Sequence, residues 1–287
     1  MKIIKYFVEF LFIVMLFFIF KLLGLKLASK FGSFIGGSLG PFVRSKKKII
    51  LNIKKALPNM DEKNIEKISK KMWKNYGRIL SEYMFIKKFR NLKNDKIISV
   101  EGQEILDEIK NTKKPVVFIS GHFNNFELMA MQIEKSDINL AAIYRPLNNI
   151  FLNKIMERLR IKYICKKQIK KGRSGTRDLL ESFKKNYSIA LMIDQRVREG
   201  SKVNFFGNLA TTTTIPAQLI KKYKCELVPI YIERYNNFYF KMYVAKPIPV
   251  SSKKSVENIT SFLNKVLEKM ILKNPDQWIW THDRWKK

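Results

Sequence analysis

The sequence predicts an α/β fold, a central mixed sheet flanked by helices and preceded by an N-terminal hydrophobic membrane-anchor helix. Three features predict it. Short β-branched and aromatic runs recur at residues 116–119, 139–146, 188–195, 226–234 and 238–245. Helical stretches separate the earlier runs, at 149–160, 175–186 and 215–223. The first 28 residues are mostly apolar. Strands alternating with helices imply helices layered on a sheet, and the last two runs can close a hairpin over Asn236-Asn237.

The anchor comes first. Phe10 to Phe20 is uninterrupted apolar sequence, shorter than the roughly 20 residues that cross a bilayer. Extending it from Ile3 to Leu27 supplies the length but includes Lys5, Glu9 and Lys21. Lysines near the ends can snorkel to the headgroups. A cleaved signal peptide needs a small-residue cleavage site, and Ala28-Ser29 between Lys26 and Lys30 is a poor one. The expectation is an uncleaved anchor over 1–28, spanning or deeply interfacial, followed by one domain over 29–287. Arg44 and Lys46–Lys48 enrich the downstream side, which by the positive-inside rule places the domain in the cytoplasm and holds it against anionic lipid.

The glycine-rich stretch GSFIGGSLGP (32–41) reads as a flexible link or a close-packed turn. It lacks the lysine and spacing of a phosphate-binding loop. Residues 62–86 carry Ile65, Ile68, Met72, Tyr76, Ile79 and Tyr83 three or four apart, behind Asp61 as N-cap, and predict a helix with a core-facing stripe. Pro115 precedes the strand at 116–119, and Gly121 marks a turn before a helix expected from Asn124 or Asn125. Pro216 suits the first turn of the helix at 215–223. Val256, Ile259, Leu263, Val266, Leu267 and Met270 mark a last helix, stopped by Asn274-Pro275.

Composition narrows the function classes. A hydrophobic share of 46% and an aromatic share of 13% exclude intrinsic disorder. The chain has 56 Lys+Arg against 24 Asp+Glu, a net charge of +32, so anionic partners are expected: nucleic acid, lipid headgroups or an acidic carrier protein. Part of that excess has a simpler source, because lysine, asparagine and isoleucine are all abundant, as an AT-rich genome would produce. The two cysteines, Cys165 and Cys225, form no CxxC and lie far from both histidines. No metal cluster is expected, and a reducing compartment fits better than a disulfide framework.

His122 lies at the carboxyl end of a strand, the edge where open α/β sheets bind ligands. In GHFNNFE, Glu127 follows five residues later. If Glu127 falls in the first helical turn, its carboxylate can hold the Nδ1–H of His122 and leave the other ring nitrogen free to take a proton. Ser120 lies in no GxSxG elbow, so the pair would activate a hydroxyl of the substrate. His282 among Trp278, Trp280 and Trp285 reads as a structural residue in an interfacial or packing cluster.

The spacing H-x4-E after a strand resembles the H-x4-[DE] motif of acyltransferases acting on glycerol lipids and lipid A. With YRPLNN, GRSGTRDLL, ALMIDQR, VNFFGNLATTTTIPAQL, ELVPIYIER and NPDQWIWTHDRWK following, and ALPNM and NYGRILSEY upstream, the chain resembles the late acyltransferases of lipid A biosynthesis (lauroyl/myristoyl type) over nearly its whole length. The resemblance implies a glycerolipid-acyltransferase-like α/β domain on the cytoplasmic face of the bacterial inner membrane. It implies transfer of a fatty acyl chain from acyl carrier protein, which is acidic across the family's hosts, to a hydroxyl of a lipid A precursor. No cofactor is implied.

By position, the resemblance makes His122 the general base and Glu127 its partner. It matches Asp194 in MIDQ and Arg158 in MERLRIKY, both expected to bind substrate, with Arg160 two residues away as the other choice for the arginine. Arg145 and Arg177 are further candidates for anionic substrate groups, because arginine binds phosphate in a fork geometry. Two positions depart from the family pattern: Ile150, where proline is common, and Asp283, where a second arginine is common. Another glycolipid or a lysophospholipid as acceptor is one alternative. A membrane-tethered basic protein that binds nucleic acid electrostatically is another, although no nucleic acid partner is expected.

Overall fold

A long N-terminal helix is the first feature of the chain, whose structure is a computed structural model describing residues 2–92 and 97–286. Met1 and Lys287, the outer limits of the expected segments 1–28 and 29–287, lie outside the described residues. Helix α1 (Lys2–Val43) breaks its helical geometry only at Gly24, where φ is 72°. It therefore runs through residue 28 and through GSFIGGSLGP, which is neither a link nor a turn. The glycines there serve close packing. A Cβ on Gly32 would meet the Gly77 carbonyl, one on Gly36 the Trp73 carbonyl, and one on Gly40 the Trp73 ring. Glycine permits this approach of two backbones because it has no side chain to interpose.

The partner of these glycines is α3 (Glu62–Glu82), reached through α2 (Lys46–Ala56). Asp61 caps α3 by accepting from the Asn64 N–H. Ile65, Ile68 and Met72 of the expected stripe are buried. The expected single helix 62–86 is in fact α3, a short 3-10 turn at Tyr83–Phe85, and α4 (Ile86–Asn91). Then come β1 (Ile98–Glu101), α5 (Gln103–Thr112), β2 (Val117–Ser120), α6 (Glu127–Lys135), β3 (Leu140–Tyr144), α7 (Ile150–Tyr163), β4 (Lys167–Lys170), α8 (Arg173–Lys184) and β5 (Ser188–Met192). The hairpin β6 (Ser201–Phe205) and β7 (Asn208–Thr212) precedes α9 (Ile215–Tyr223), β8 (Leu227–Tyr235), β9 (Tyr239–Val244) and α10 (Val256–Lys273).

The seven-stranded sheet has the order β1-β9-β8-β2-β5-β3-β4. Strands β8, β2, β5, β3 and β4 are parallel, and β9 turns back antiparallel to β8. The sheet is thus mixed, as expected. The turn uses Asn236 and Asn237, both with positive φ, a conformation asparagine tolerates. The central strands β2 and β5 are buried nearly throughout, as parallel strands covered on both faces must be. Strands β1, β4, β6 and β7 were not legible in the sequence. All four mix one or two buried residues with partly or fully exposed ones, and β1 and β4 are four residues long.

Both cysteines are free thiols. Burial pushes the Cys165 thiol up to about 12 and the Cys225 thiol up to about 11, so neither is a thiolate at neutral pH.

The α1–α3 contact makes a direct prediction. Gly77→Ala would press its methyl against backbone of Gly32 and Gly36, which cannot yield. It should destabilise the protein by about 1–3 kcal/mol, read as a Tm several degrees lower in thermal unfolding. Gly37→Ala meets only the flexible Lys74 side chain and should leave Tm nearly unchanged.

Candidate active site

The register of two strands builds the site. Strands β2 and β5 run parallel with Ser120 opposite Met192, and the ladder continues one step further through the Ile193 N–H to the Ser120 carbonyl. His122 and Asp194 each lie two residues beyond the paired ends, so they emerge side by side. The His122 Nδ1 lies 2.7 Å from Asp194 Oδ1, and the His122 backbone N–H donates to Oδ2 at 2.8 Å. The Trp278 indole donates to the same Oδ2 at 2.9 Å.

The Asp194 side chain is fully buried, whereas His122 keeps 21% of its side chain exposed. Burial alone would raise the Asp194 pKa. The neighbouring His122 charge, the two bonds from His122 and the one from Trp278 outweigh it and hold the carboxyl at about 2. Asp194 therefore stays ionised and fixes the His122 proton on Nδ1. Among the described residues, no protein group bonds Nε2. The Phe126 ring packs edge-on against the imidazole at 4.7 Å.

Glu127 is placed differently from the expectation. Helix α6 begins at Glu127 itself, two or three residues later than predicted, after Asn124 takes a left-handed conformation. Phe126 fills the space beside His122, and the Glu127 carboxylate turns to Arg160 and Tyr83. Arg160 donates from Nη2 at 2.5 Å and from Nε at 3.0 Å to Oε1, and the Tyr83 hydroxyl donates to Oε2 at 3.0 Å. The expected Glu127–His122 contact is not made. Between the two arginines considered, Arg160 reaches inward and Arg158 stays exposed on α7. Arg145 follows β3 and Arg177 lies on α8, both exposed. None of Arg145, Arg158 and Arg177 is brought to His122, and none forms an ion pair among the described residues.

Residues missed in the sequence complete the surroundings. Trp278 belongs to a C-terminal segment that bridges to Phe123, and its tryptophans are buried in packing. His282 accepts the Arg196 N–H at Nε2 and tethers the stretch after Asp194. Burial holds its pKa below the ordinary value, which favours the neutral ring that such acceptance requires. Beneath the loop, the fully buried Glu82 receives both terminal nitrogens of Arg234, at 2.6 and 2.9 Å, and the Ser29 hydroxyl of α1. No local pattern signals Tyr83, Trp278 or Glu82, because each meets the site only through long-range packing.

A family model for bacterial lipid A biosynthesis acyltransferases matches residues 1–287. The chain belongs to that family. It is 24% identical over 262 residues to the lipid A biosynthesis palmitoleoyltransferase of Escherichia coli (strain K12), covering 89% of this chain and 83% of that protein. A lipid A biosynthesis acyltransferase of Shigella flexneri shows the same identity and coverage. The lipid A biosynthesis lauroyltransferase of Escherichia coli (strain K12) is 23% identical over 250 residues, 85% of this chain and 80% of that one. In this lipid A acyltransferase family member, a partly exposed imidazole with a buried, ionised carboxylate on Nδ1 can accept a proton at Nε2 and be stabilised as imidazolium.

Two outcomes follow for stability. Glu127→Ala strands the nearly buried Arg160 charge and should cost about 3–5 kcal/mol in denaturant unfolding, whereas Tyr83→Phe should cost about 1 kcal/mol. Asp194 has a folded-state pKa below its ordinary 3.8. Its contribution, on the order of 2 kcal/mol, is complete above that value and is lost as pH falls through about 2. Stability of the wild type should therefore fall more steeply between pH 4 and 2 than that of Asp194→Asn.

Proposed function

We propose that this acyltransferase moves a fatty acyl chain from acyl carrier protein to a hydroxyl of a lipid A precursor, with His122 as general base oriented by Asp194. The single observation that carries the reading is the 2.7 Å contact between His122 Nδ1 and the buried Asp194 carboxylate, in a chain of this family. The precursor hydroxyl gives its proton to His122 Nε2 as its oxygen attacks the thioester carbonyl. The carbon–sulfur bond then breaks, and the imidazolium returns the proton to the departing thiolate, leaving an ester and the free carrier thiol. A positioned base of this kind contributes roughly 10²–10⁴-fold, and holding hydroxyl and thioester together supplies a further share.

Glu127 takes a positioning role in this reading. Its bonds to Arg160 and Tyr83 tie the first turn of α6 to α7 and to the end of α3, fixing the loop that carries His122. Arg145, Arg158 and Arg177 are proposed to meet anionic groups of the substrates. Arg145 has Lys171 beside it, since Tyr144 pairs with Lys170, so two cations occupy adjacent strand ends on the same edge of the sheet as His122. The net charge of +32 suits an acidic carrier protein and anionic lipid. We place the body on the cytoplasmic face of the bacterial inner membrane, where Arg44 and Lys46–Lys48 meet anionic headgroups.

Expression in a host lacking its own late acyltransferases should add one acyl chain to lipid A, read by mass spectrometry. His122→Ala should remove that mass, and Asp194→Asn should lower the transfer rate by about 10²–10⁴-fold. Undiminished transfer by folded His122→Ala would overturn the reading. Purified acyl carrier protein and coenzyme A thioesters, offered separately, test the donor.

A further inference from the structure

Three cations meet where α1, α3 and the turn between β8 and β9 come together. Arg234, near the end of β8, gives both terminal nitrogens to the fully buried Glu82. Arg78 stands one turn before Glu82 on α3. Its Nη1 donates to the Ser29 hydroxyl of α1 at 3.2 Å, and its Nη2 donates to the Asn237 side-chain oxygen at 3.0 Å. Lys26 lies three residues before Ser29, on the same side of α1. Its Nζ stands 5.0 Å from the centre of the Phe238 ring, which follows Asn237 in the turn. The same helix and the same turn therefore hold Lys26 and Arg78 as neighbours.

The charges at this junction do not balance. Glu82 is the one carboxylate among these groups, and its oxygens already accept from Arg234, Ser29 and Asn125. Arg78 and Lys26 meet neutral groups in the contacts above and form no ion pair among the described residues. Arg78 is half-buried. Burial first, and the Arg234 charge second, push its pKa below the ordinary value, with Glu82 offsetting part of both. A guanidinium so placed has lost water and faces a like charge, and an oxyanion beside it relieves both. The bonds it makes do not exhaust its N–H groups.

The neighbours of Lys26 along α1 indicate what carries that anion. Leu22, Leu23 and Leu27 are exposed, and the long apolar run of α1 ends just before them. A small free anion gains nothing from such apolar surface, whereas a lipid meets it with acyl chains and meets the cations with its headgroup. We infer that Arg78 and Lys26 form a site for a phosphate group carried on a membrane lipid, at the junction of α1, α3 and the β8–β9 turn. Arg78 presents a planar fork that matches two phosphate oxygens, and the exposed Lys26 adds a mobile point charge. Two kinds of lipid carry the group: a lipid A precursor and anionic phospholipid. Glu82 behind the site also receives the Asn125 side chain of the His122 loop, at 3.5 Å. A bound headgroup is thus one buried carboxylate away from that loop. The inference concerns lipid binding alone and stands apart from the catalytic roles proposed above.

Native mass spectrometry of the full chain in neutral detergent tests it with three probes. They are a lipid A precursor bearing its phosphates, the same precursor after phosphatase treatment, and phosphatidylglycerol. Wild type should bind at least one phosphate-bearing lipid about tenfold more tightly than the dephosphorylated precursor. Arg78→Gln and Lys26→Gln should each weaken that binding, and together they should abolish the preference. Binding of the dephosphorylated precursor should stay as in wild type. A loss confined to the precursor names the acceptor as the occupant, a loss confined to phosphatidylglycerol names phospholipid, and a loss of both names the phosphate they share. Lys26 is exposed, so Lys26→Gln keeps the fold and carries the test even where Arg78→Gln lowers Tm. No preference in wild type, or unchanged binding of both phosphate-bearing lipids by the double variant, overturns the inference. An equal loss for the dephosphorylated precursor marks a purely structural role and equally overturns it.

Discussion

The buried carboxylate of Asp194 is the constraint on which the site depends. An ionised group without water must be surrounded by donors, or its burial cost is not met. Here the donors come from two directions: the ring and backbone of His122, and the indole of Trp278. Satisfying one carboxylate thus fixes the rotamer and tautomer of the histidine, the conformation of the turn after β2, and the seat of the C-terminal segment. The parallel pairing of β2 with β5 makes this possible, because equal extension past Ser120 and Met192 brings the two side chains together.

A second buried pair does comparable work where α1 and α3 meet the sheet. Glu82 holds Arg234 of β8 and Ser29 of α1 at once, while the glycine contacts of α1 with α3 leave no gap between the helices. Helix α1 is consequently a packed element of the domain, with Phe17 and Phe20 buried and many of its other large apolar side chains exposed. Glu127 and Arg160 then connect that framework to the loop of His122. These two buried charge pairs lie where elements distant in sequence meet.

The fold was legible wherever a segment carried its own periodicity or a strong breaker. The buried run of β2, the hairpin over Asn236-Asn237, the helix at Ile215–Tyr223 and the last helix before Asn274-Pro275 all stand close to where the residues alone put them. Short, half-polar strands such as β4 were silent. The stretch 32–41 misled because glycine reads locally as a turn signal, whereas a partner backbone one helix away makes it a packing signal.

The sequence by itself determined the α/β class, the apolar N-terminus, the family resemblance and the position of His122 at a strand end. These follow from local patterning, which survives without knowledge of neighbours. Which carboxylate serves that histidine was decided only by tertiary structure. Glu127 is five residues from His122 and Asp194 is 72, yet strand register places Asp194 on Nδ1 and helix geometry turns Glu127 to Arg160. The packing of α1 was decided the same way: composition made it long and apolar, and only tertiary contacts decide which of its side chains are buried.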